Sequence, residues 1–442
     1  MKVVLVNPPL SQRYVHSIDE PLGVLYLAAA IRDKHEVYIV DSLNNMLSTA
    51  ETAEIITELE ADVVGISLVF TGAYKTSLEI LASVKNKKPS IISVLGGNTA
   101  TFLAETLARR KDVDYVVRGE GDVSFPQLLG AISSGISQPG VSGISYQSGD
   151  KVIHNPDTVL VNDLDELLFP ARRLLPLRQK YPRSILSSRG CAYGCIYCSS
   201  AAFWRKSFRM RSIDNIMAEI KTLQEEEKLK YFSFADDCLT LLPQRAREIA
   251  RRIRDLRLGC TWGCTGRIET LSEELIRELS GAGCTGMFFG VESGSERVLK
   301  KLGRRYTPEQ VYETYKTCIR YGIQPYFSFM VGLPFEKEED LNLTYRLIER
   351  LEGVENGVHI LTPLPGTPIF YDAKKYGLKI SGHETEELDI NSCSVAATEH
   401  FSREFINEAY RKAIGYSIKA LRKTGTVNRI KNATRNELSA VK

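Results

Sequence analysis

No uninterrupted apolar run in the 442-residue sequence reaches the ~18 residues that a helix needs to cross a bilayer. The amino terminus has neither a basic leader nor a long apolar segment, because a short apolar stretch runs straight into Pro8 and Pro9. Excess charge is missing too: 57 Lys plus Arg oppose 54 Asp plus Glu and leave +3, which gives no reason to expect a nucleic acid or a membrane as partner. The expectation is a cytoplasmic protein without membrane insertion, whose nine cysteines stay reduced. Hydrophobic residues at 43% and charged residues at 25% are ordinary globular values, and the length exceeds what one hydrophobic core usually organises. The basic tail from Leu421 to Lys442 reads as a solvated segment.

Against this ordinary background the cysteines are crowded. Cys191, Cys195 and Cys198 form C-x3-C-x2-C, with Tyr197 before the last and Gly190 and Gly194 relaxing the loop. Three thiolates on one flexible loop can turn toward a single metal centre, whereas three on a regular strand or helix cannot all point inward. A zinc site needs a fourth protein ligand, and no histidine lies between His154 and His359. A [4Fe-4S] cluster with one open iron satisfies the count. The plain alternative is three unrelated buried cysteines, against which their crowding beside glycines argues.

From residue 3 to about 132, β-branched runs alternate with helical periods, which predicts a doubly wound parallel sheet of Rossmann-like α/β class. Ligands of such sheets bind beyond the carboxyl ends of the strands. Those ends read Asn7-Pro8-Pro9, Asp41, Ser67 to Thr71, Gly96-Gly97 and Arg118-Gly119-Glu120-Gly121-Asp122. A dinucleotide would require glycines after the first strand, where the prolines stand instead. Glycines after the fourth and fifth strands would let a bulky ligand tail lie against bare backbone, or are plain turns. The alternating pattern is lost from 133 to 185, where a hairpin centred on Ser148-Gly149-Asp150 and a strap from Pro170 to Pro176 read as a linker. The division drawn is 1–140, a linker at 141–180, a second domain at 181–370 and a helical segment at 371–442.

The second domain repeats βα units to about residue 364 and, with a strand before Cys191, counts six parallel strands: a partial (β/α)6, TIM-like barrel with its site at the carboxyl ends. Asp236-Asp237, Arg267, Glu292-Ser293 and Gly332-Leu333-Pro334 fall at those ends, where capping or ion pairing is the plain alternative. Cys260, Trp262 and Cys264 share the face opposite Arg267 and read as structural, a second cluster with Cys238 and Cys284 being the other option. Arg205, Lys206, Arg209 and Arg211 either neutralise a cluster or attract an anion, or form a solvated run.

These segments resemble the cobalamin-dependent radical SAM enzymes. Asn7-Pro8-Pro9, Pro21 to Leu27, Val63 to Ser67, Gly96 to Thr101 and Gly119 to Asp122 look like that family's cobalamin-binding domain. The cysteine spacing, Phe234-x-Asp236-Asp237, Arg267-x-Glu269, Gly290 to Gly294 and the Pro363 to Pro368 turn look like its catalytic barrel. The resemblance covers residues 1 to 370 and implies three cofactors: a [4Fe-4S] cluster on Cys191, Cys195 and Cys198, S-adenosylmethionine, and cobalamin. None of the six histidines has the Asp-x-His-x-x-Gly context of mutase-type carriers. The implied cobalamin is therefore held without a histidine, with the Ser67 to Thr71 loop beneath the corrin, Leu68 or Phe70 as an apolar lower face, and Gly96-Gly97 at the nucleotide tail. Both apolar residues read equally well as core. The resemblance also places Tyr197 beside the adenine, Arg267 on the carboxylate of S-adenosylmethionine, and Glu292 on its ribose.

The activity so implied is cleavage of S-adenosylmethionine to a 5′-deoxyadenosyl radical and methylation of an unactivated carbon of a small-molecule or natural-product substrate, fed by an external one-electron donor. An oxidative cyclase or ring-rearranging enzyme of the same architecture is the alternative. A corrinoid or iron–sulfur binding protein without turnover is the alternative of another class. In such enzymes the segment after Pro368 closes the substrate cavity.

Overall fold

The computed structural model describes residues 1–11, 19–176, 181–380 and 394–423. The first apolar runs become strands β1 (Lys2–Asn7), β2 (Glu36–Asp41), β3 (Val63–Ser67), β4 (Ile92–Gly96) and β5 (Tyr115–Val117). They pair in parallel in the order β2-β1-β3-β4-β5. Their Val- and Ile-rich composition follows from burial on both faces. Helices Leu22–Ile31 and Gly121–Ser133 bury Leu25, Phe125 and Leu128 on one face, and helices Thr49–Glu58 and Tyr74–Lys87 bury Ile56, Ile80 and Leu81 on the other. Strand order reverses between β1 and β3, which opens a crevice beyond their carboxyl ends.

The hairpin read as part of a linker is instead the rim of this sheet. β6 (Ile144–Ser148) pairs antiparallel with β5, and β7 (Lys151–His154) pairs antiparallel with β6. β5 is three residues long, and the hairpin covers backbone groups that would otherwise form an open edge. The sheet therefore runs past residue 140, to His154.

Six further strands form the second sheet. In spatial order they are β8 (Arg183–Ile185), then β11 (Tyr231–Phe234), β12 (Thr261–Gly266), β13 (Cys284–Glu292), β14 (Gln324–Val331) and β15 (Asn356–Ile360), all parallel. Between β8 and β11, the two-residue strands β9 (Ser188–Arg189) and β10 (Arg209–Met210) form an antiparallel ribbon that brackets the cysteine loop. Phe232, Trp262, Phe289, Phe327 and Phe329 point outward into the layer of helices, so the alternate residues face the lumen. Helix starts follow the sequence signals: Thr307 and Gln310 make a reciprocal capping box with Pro308 in the first turn.

The helix Arg403–Arg422 lies outside this sheet, against its edge strand β15. Ser417 donates to the Asn356 carbonyl at 2.6 Å, and Tyr416 stacks on Tyr345 with centroids 5.2 Å apart. Its buried stripe of Ile406, Ala409, Ala413 and Ala420 fits a helix covering a strand edge. Among the described residues of 371–442 none lines the cavity treated below. Residues 381–393 and 424–442, the latter holding most of the basic tail, lie outside the described residues. No helix of the described residues is long and apolar enough to cross a membrane.

Buried ion pairs tie the two sheets together. Glu20, fully buried, takes Arg172 at 3.0 Å, Arg183 at 3.1 Å and the Ser184 amide at 2.9 Å. Glu120 is held by Arg189 at 2.8 Å and Arg209 at 2.9 Å. Buried charges persist only when paired and hydrogen-bonded in this way.

Candidate active site between the two sheets

The carboxyl ends of both sheets open into one cavity of about 610 Å³. From the first sheet come Ser67, Val69, Gly96, Gly97, Gly119, Glu120, Gly121 and Asp122. From the second come Ser188, Arg189, Ser200, Trp204, Asp236, Asp237, Thr265 and Phe288. An apolar arm extends between the first sheet and its helices, past Leu5, Val94 and Phe125.

The loop after β3 is shaped by its neighbour after β4. The Leu68 amide donates to the Gly96 carbonyl at 2.7 Å, and the Thr99 hydroxyl donates to the Val69 carbonyl at 2.8 Å. Gly97 has φ +100°, and a Cβ there would stand 2.8 Å from the Leu68 carbonyl oxygen. Only glycine meets both demands. Of the two residues expected at a lower face, Leu68 is 0% exposed and lies in the core, and Phe70, 59% exposed, does not line the cavity. Val69, 42% exposed between them, faces it.

Asn7, Pro8 and Pro9 are also absent from the cavity wall. Asn7 donates to Asp41 at 2.8 Å, Asp41 also receives Tyr181 at 2.9 Å, and the Pro9 carbonyl receives the Thr76 hydroxyl. The buried Asp41 carboxylate draws these donors together, so the turn braces the strand end. Glu120 reaches the wall, but both its oxygens are taken by Arg189, Arg209 and the Val161 amide.

On the barrel side the cysteine loop caps the strand ends. Cys191, Cys195 and Cys198 are each part-buried, and the Cys198 amide donates to the Cys195 carbonyl at 3.2 Å. The helix Ser199–Phe203 starts directly after the loop. Ser199 receives Asn98 of the first sheet at 3.1 Å, and Ser200 donates to Asp237 of the second. Burial pushes the Cys191 thiol up and the Cys198 thiol to about 11, with Asp237 adding to both. Such thiols ionise when a metal takes them. Among the described residues no three His, Cys, Asp or Glu side chains converge as ligands of a single ion would. A cube takes each thiolate on a different iron, and three part-buried thiols on one loop, with no fourth protein ligand among the described residues, are the donor set for a cluster with one open iron.

Asp236 is fully buried and receives the Ser187 amide at 2.7 Å and the Ser187 and Ser188 hydroxyls at 2.5 and 2.6 Å. Burial still raises its carboxyl above the usual range. Asp237 is exposed to the cavity. Arg267 lies over the Tyr193 ring, 3.6 Å from its centre, and donates to Glu269 at 2.5 Å. Glu292, at φ +69°, ends β13 where its register against β14 shifts. Strained backbone of this kind gathers at functional sites. Glu292 accepts Tyr197 at 2.9 Å and also pairs with Arg304, which donates to the Tyr197 hydroxyl at 2.6 Å. Burial, then Glu292, pushes the Tyr197 hydroxyl well above its ordinary value. Ser293 is buried and braces the next turn, receiving the Ser295 amide at 3.1 Å. Arg267 Nε, Arg304 Nε and Glu269 Oε2 are buried without a hydrogen-bond partner. Two open donors and an open acceptor suit a ligand that carries both a carboxylate and hydroxyl or amino groups.

The comparisons follow the same division. A B12 binding domain model matches residues 14–129, and a Radical SAM superfamily model matches residues 185–348. An uncharacterized methyltransferase of Pyrococcus horikoshii is 33% identical over 423 residues, covering 93% of this chain and 91% of its own. The chain belongs to the cobalamin-dependent radical SAM enzymes. Within that family it is 26% identical to the anaerobic magnesium-protoporphyrin IX monomethyl ester cyclase of Rubrivivax gelatinosus, over 88% of this chain and 74% of the cyclase. The fold matches the radical S-adenosylmethionine methyltransferase TsrM from Kitasatospora setae, solved with cobalamin and a [4Fe-4S] cluster. The TM-score is 0.74 at 17% identity, over 94% of this chain and 88% of that one.

Several residues at this radical SAM site escaped the sequence reading. Arg304 stands twelve residues after Glu292, in no strand or helix, and only a search for the buried cation that Glu292 requires would have found it. Arg189 follows directly on Ser188, yet its partners Glu120 and Asp122 come from the other sheet. Arg209 and Arg211 of the basic run are likewise spent on Glu120 and Glu219. Cys264 and Cys284 lie in the outer core of the barrel, away from the cavity.

Proposed function

We propose that this chain methylates an unactivated carbon of a small molecule, with Cys191, Cys195 and Cys198 holding a [4Fe-4S] cluster and the two strand-end surfaces holding S-adenosylmethionine and cobalamin. One observation carries the reading: the bare backbone of Gly96 and Gly97 and the Asp237 side chain beside the cysteine loop line a single cavity. When bound, these groups supply a one-electron reductant, a source of methyl and of 5′-deoxyadenosyl radical, and a methyl carrier. The protein's part is placement. Arg267 and Glu269 offer a donor and an acceptor to the amino-acid end of S-adenosylmethionine, and Glu292, poised by Arg304 and Tyr197, meets its ribose. Gly96-Gly97 and the apolar arm past Leu5 and Phe125 would accept the cobalamin tail, and Val69, an alkyl side chain with no ligating atom, would pack against the corrin. Electrons come from an external one-electron donor.

The test is anaerobic turnover with S-adenosylmethionine, cobalamin and reductant, read by mass spectrometry of the substrate. Gain of one methyl group supports transfer. Loss of hydrogens without added carbon would assign the chain to the oxidative chemistry of its cyclase relative instead.

A further inference from the structure

The lumen of the second sheet has a floor made of aromatic rings. Tyr231, at the start of β11, brings its hydroxyl to 2.5 Å from where a Cβ on Gly263 of β12 would stand. Tyr326 of β14 lies so close over Gly357 of β15 that no side chain fits there. Both tyrosines thus fill space that two glycines leave empty and close the barrel from below. On the neighbouring strand, at the same height, Phe288 of β13 is paired in register with Tyr326 and stacked on it, with centroids 5.3 Å apart and planes 17° from parallel. Its sequence neighbours Met287 and Phe289 point outward and are buried, whereas Phe288 is 40% exposed and lines the cavity beside Thr265. A large aromatic ring left this open in the middle of a six-stranded sheet offers a surface to what fills the cavity.

The charge of the wall narrows what that is. Among the described residues lining the cavity the basic side chain is Arg189, and it is already committed to Glu120 at 2.8 Å and Asp122 at 2.8 and 3.1 Å. Among the described lining residues, a phosphorylated or carboxylated substrate group at Phe288 meets no uncommitted cation. A ring backed by a second ring is held in place and offers a flat apolar surface, which is matched best by another flat π-system in offset stacking.

We infer that the Phe288–Tyr326 pair is the substrate platform, and that the substrate presents a planar, unsaturated, uncharged ring to it. This rests on the reading of the chain as a radical SAM methyltransferase and names the substrate class for that same site. It makes Phe288 a specificity-determining residue, with Tyr326 positioning it from the neighbouring strand.

The test uses cofactor-loaded enzyme under anaerobic conditions and three probes in ligand-observed NMR titrations: indole (flat and neutral), cyclohexylmethanol (apolar and puckered) and 2-hydroxyethylphosphonate (anionic). Indole is expected to bind ahead of the other two. Phe288→Leu should weaken indole by roughly two- to tenfold, the range that one lost aromatic contact gives, without weakening cyclohexylmethanol, and Phe288→Tyr should keep indole binding. Should Phe288→Leu fail to fold, the ranking in the wild type and the Phe288→Tyr result decide. The inference is overturned if Phe288→Leu binds indole as the wild type does, if Phe288→Tyr loses it, or if the phosphonate or the puckered ring outranks it. Release of 5′-deoxyadenosine by the wild type is measured in parallel. Its absence would sink the proposed function whatever the probe ranking, so the two failures are told apart.

Discussion

On the first sheet's side of the cavity the facing residues are Ser67, Val69, Gly96, Gly97, Gly119 and Gly121, which offer backbone and small side chains. On the second sheet's side, Asp236, Asp237 and Arg189 line it, with the cysteine loop, Arg267, Glu292 and Arg304 around the same strand ends. The first surface recognises by leaving room. The second recognises by charge, and because its charges are buried they must be paired before any ligand arrives. A large cofactor laid on bare backbone gains contact area and needs few specific groups, whereas a small zwitterion with a reactive bond needs fixed donors and acceptors.

The contrast can be broken hardest at the cysteines. Replacing Cys191, Cys195 or Cys198 with Ala should abolish the cluster's broad visible absorption and all cleavage of S-adenosylmethionine, and a variant that keeps both would remove that cysteine from the ligand set. Next in size is Arg304→Met, which strands the Glu292 carboxylate in a buried place. It should cost about 3–5 kcal/mol in chemical denaturation and abolish binding of S-adenosylmethionine by equilibrium dialysis, while a loss under ~1 kcal/mol would mean the pair is not the support described here.

On the other surface Gly97→Ala should be milder. Forcing a side chain to φ +100° against the Leu68 carbonyl should cost about 1–3 kcal/mol and lower cobalamin retention on gel filtration. Unchanged retention would move the cofactor away from this turn.

A fourth difference concerns pH. Glu336, buried behind the β14 end and receiving the Gly332 and Leu333 amides at 2.9 and 3.2 Å, has its carboxyl pushed by burial from 4.5 to about 8. Since the folded state holds this proton more tightly, its contribution to stability is complete below pH 4.5 and is lost as pH rises through about 8. Glu336→Gln should therefore flatten the fall in melting temperature between pH 4.5 and about 8, and an identical fall in both proteins would count against the assignment.

The smallest structural change carries the sharpest signature. Val69→His should give cobalt a nitrogen neighbour, visible as added hyperfine splitting in the cob(II)alamin EPR spectrum, while Leu68→His should not. The reverse result would return Leu68 to the lower face.

The strands, their parallel order and the cysteine loop were legible because they follow from local pattern: β-branched runs, turn residues and the spacing of Cys191, Cys195 and Cys198. Arg267 and Glu292 were legible as polar residues at strand ends. Val69 was not, because alternation stops being a guide after Ser67, where the backbone leaves the sheet and is steered by Gly96 and Gly97. The ion pairs of Glu120 were not legible, because its partners lie 69 and 89 residues away, on the other sheet. The bracing of Asn7 was hidden for the same reason, since Asp41 and Tyr181 belong to other segments. The hairpin at Ile144 was recognised as a hairpin but not as the edge of a sheet, because its pairing partner β5 is short and distant in sequence. Local chemistry was readable along the chain, and pairing across the two sheets was not.

The account rests on one chain carrying both an iron–sulfur cluster and a corrin across a shared cavity. The direct measurement is iron, sulfide and cobalamin content of oxygen-protected, reconstituted protein, together with 5′-deoxyadenosine release on adding S-adenosylmethionine and a reductant. The account predicts a [4Fe-4S] cluster and a cobalamin retained together on the same chain, and release of the nucleoside. Protein that takes up neither iron nor corrin, or that binds both and never cleaves S-adenosylmethionine, would contradict it.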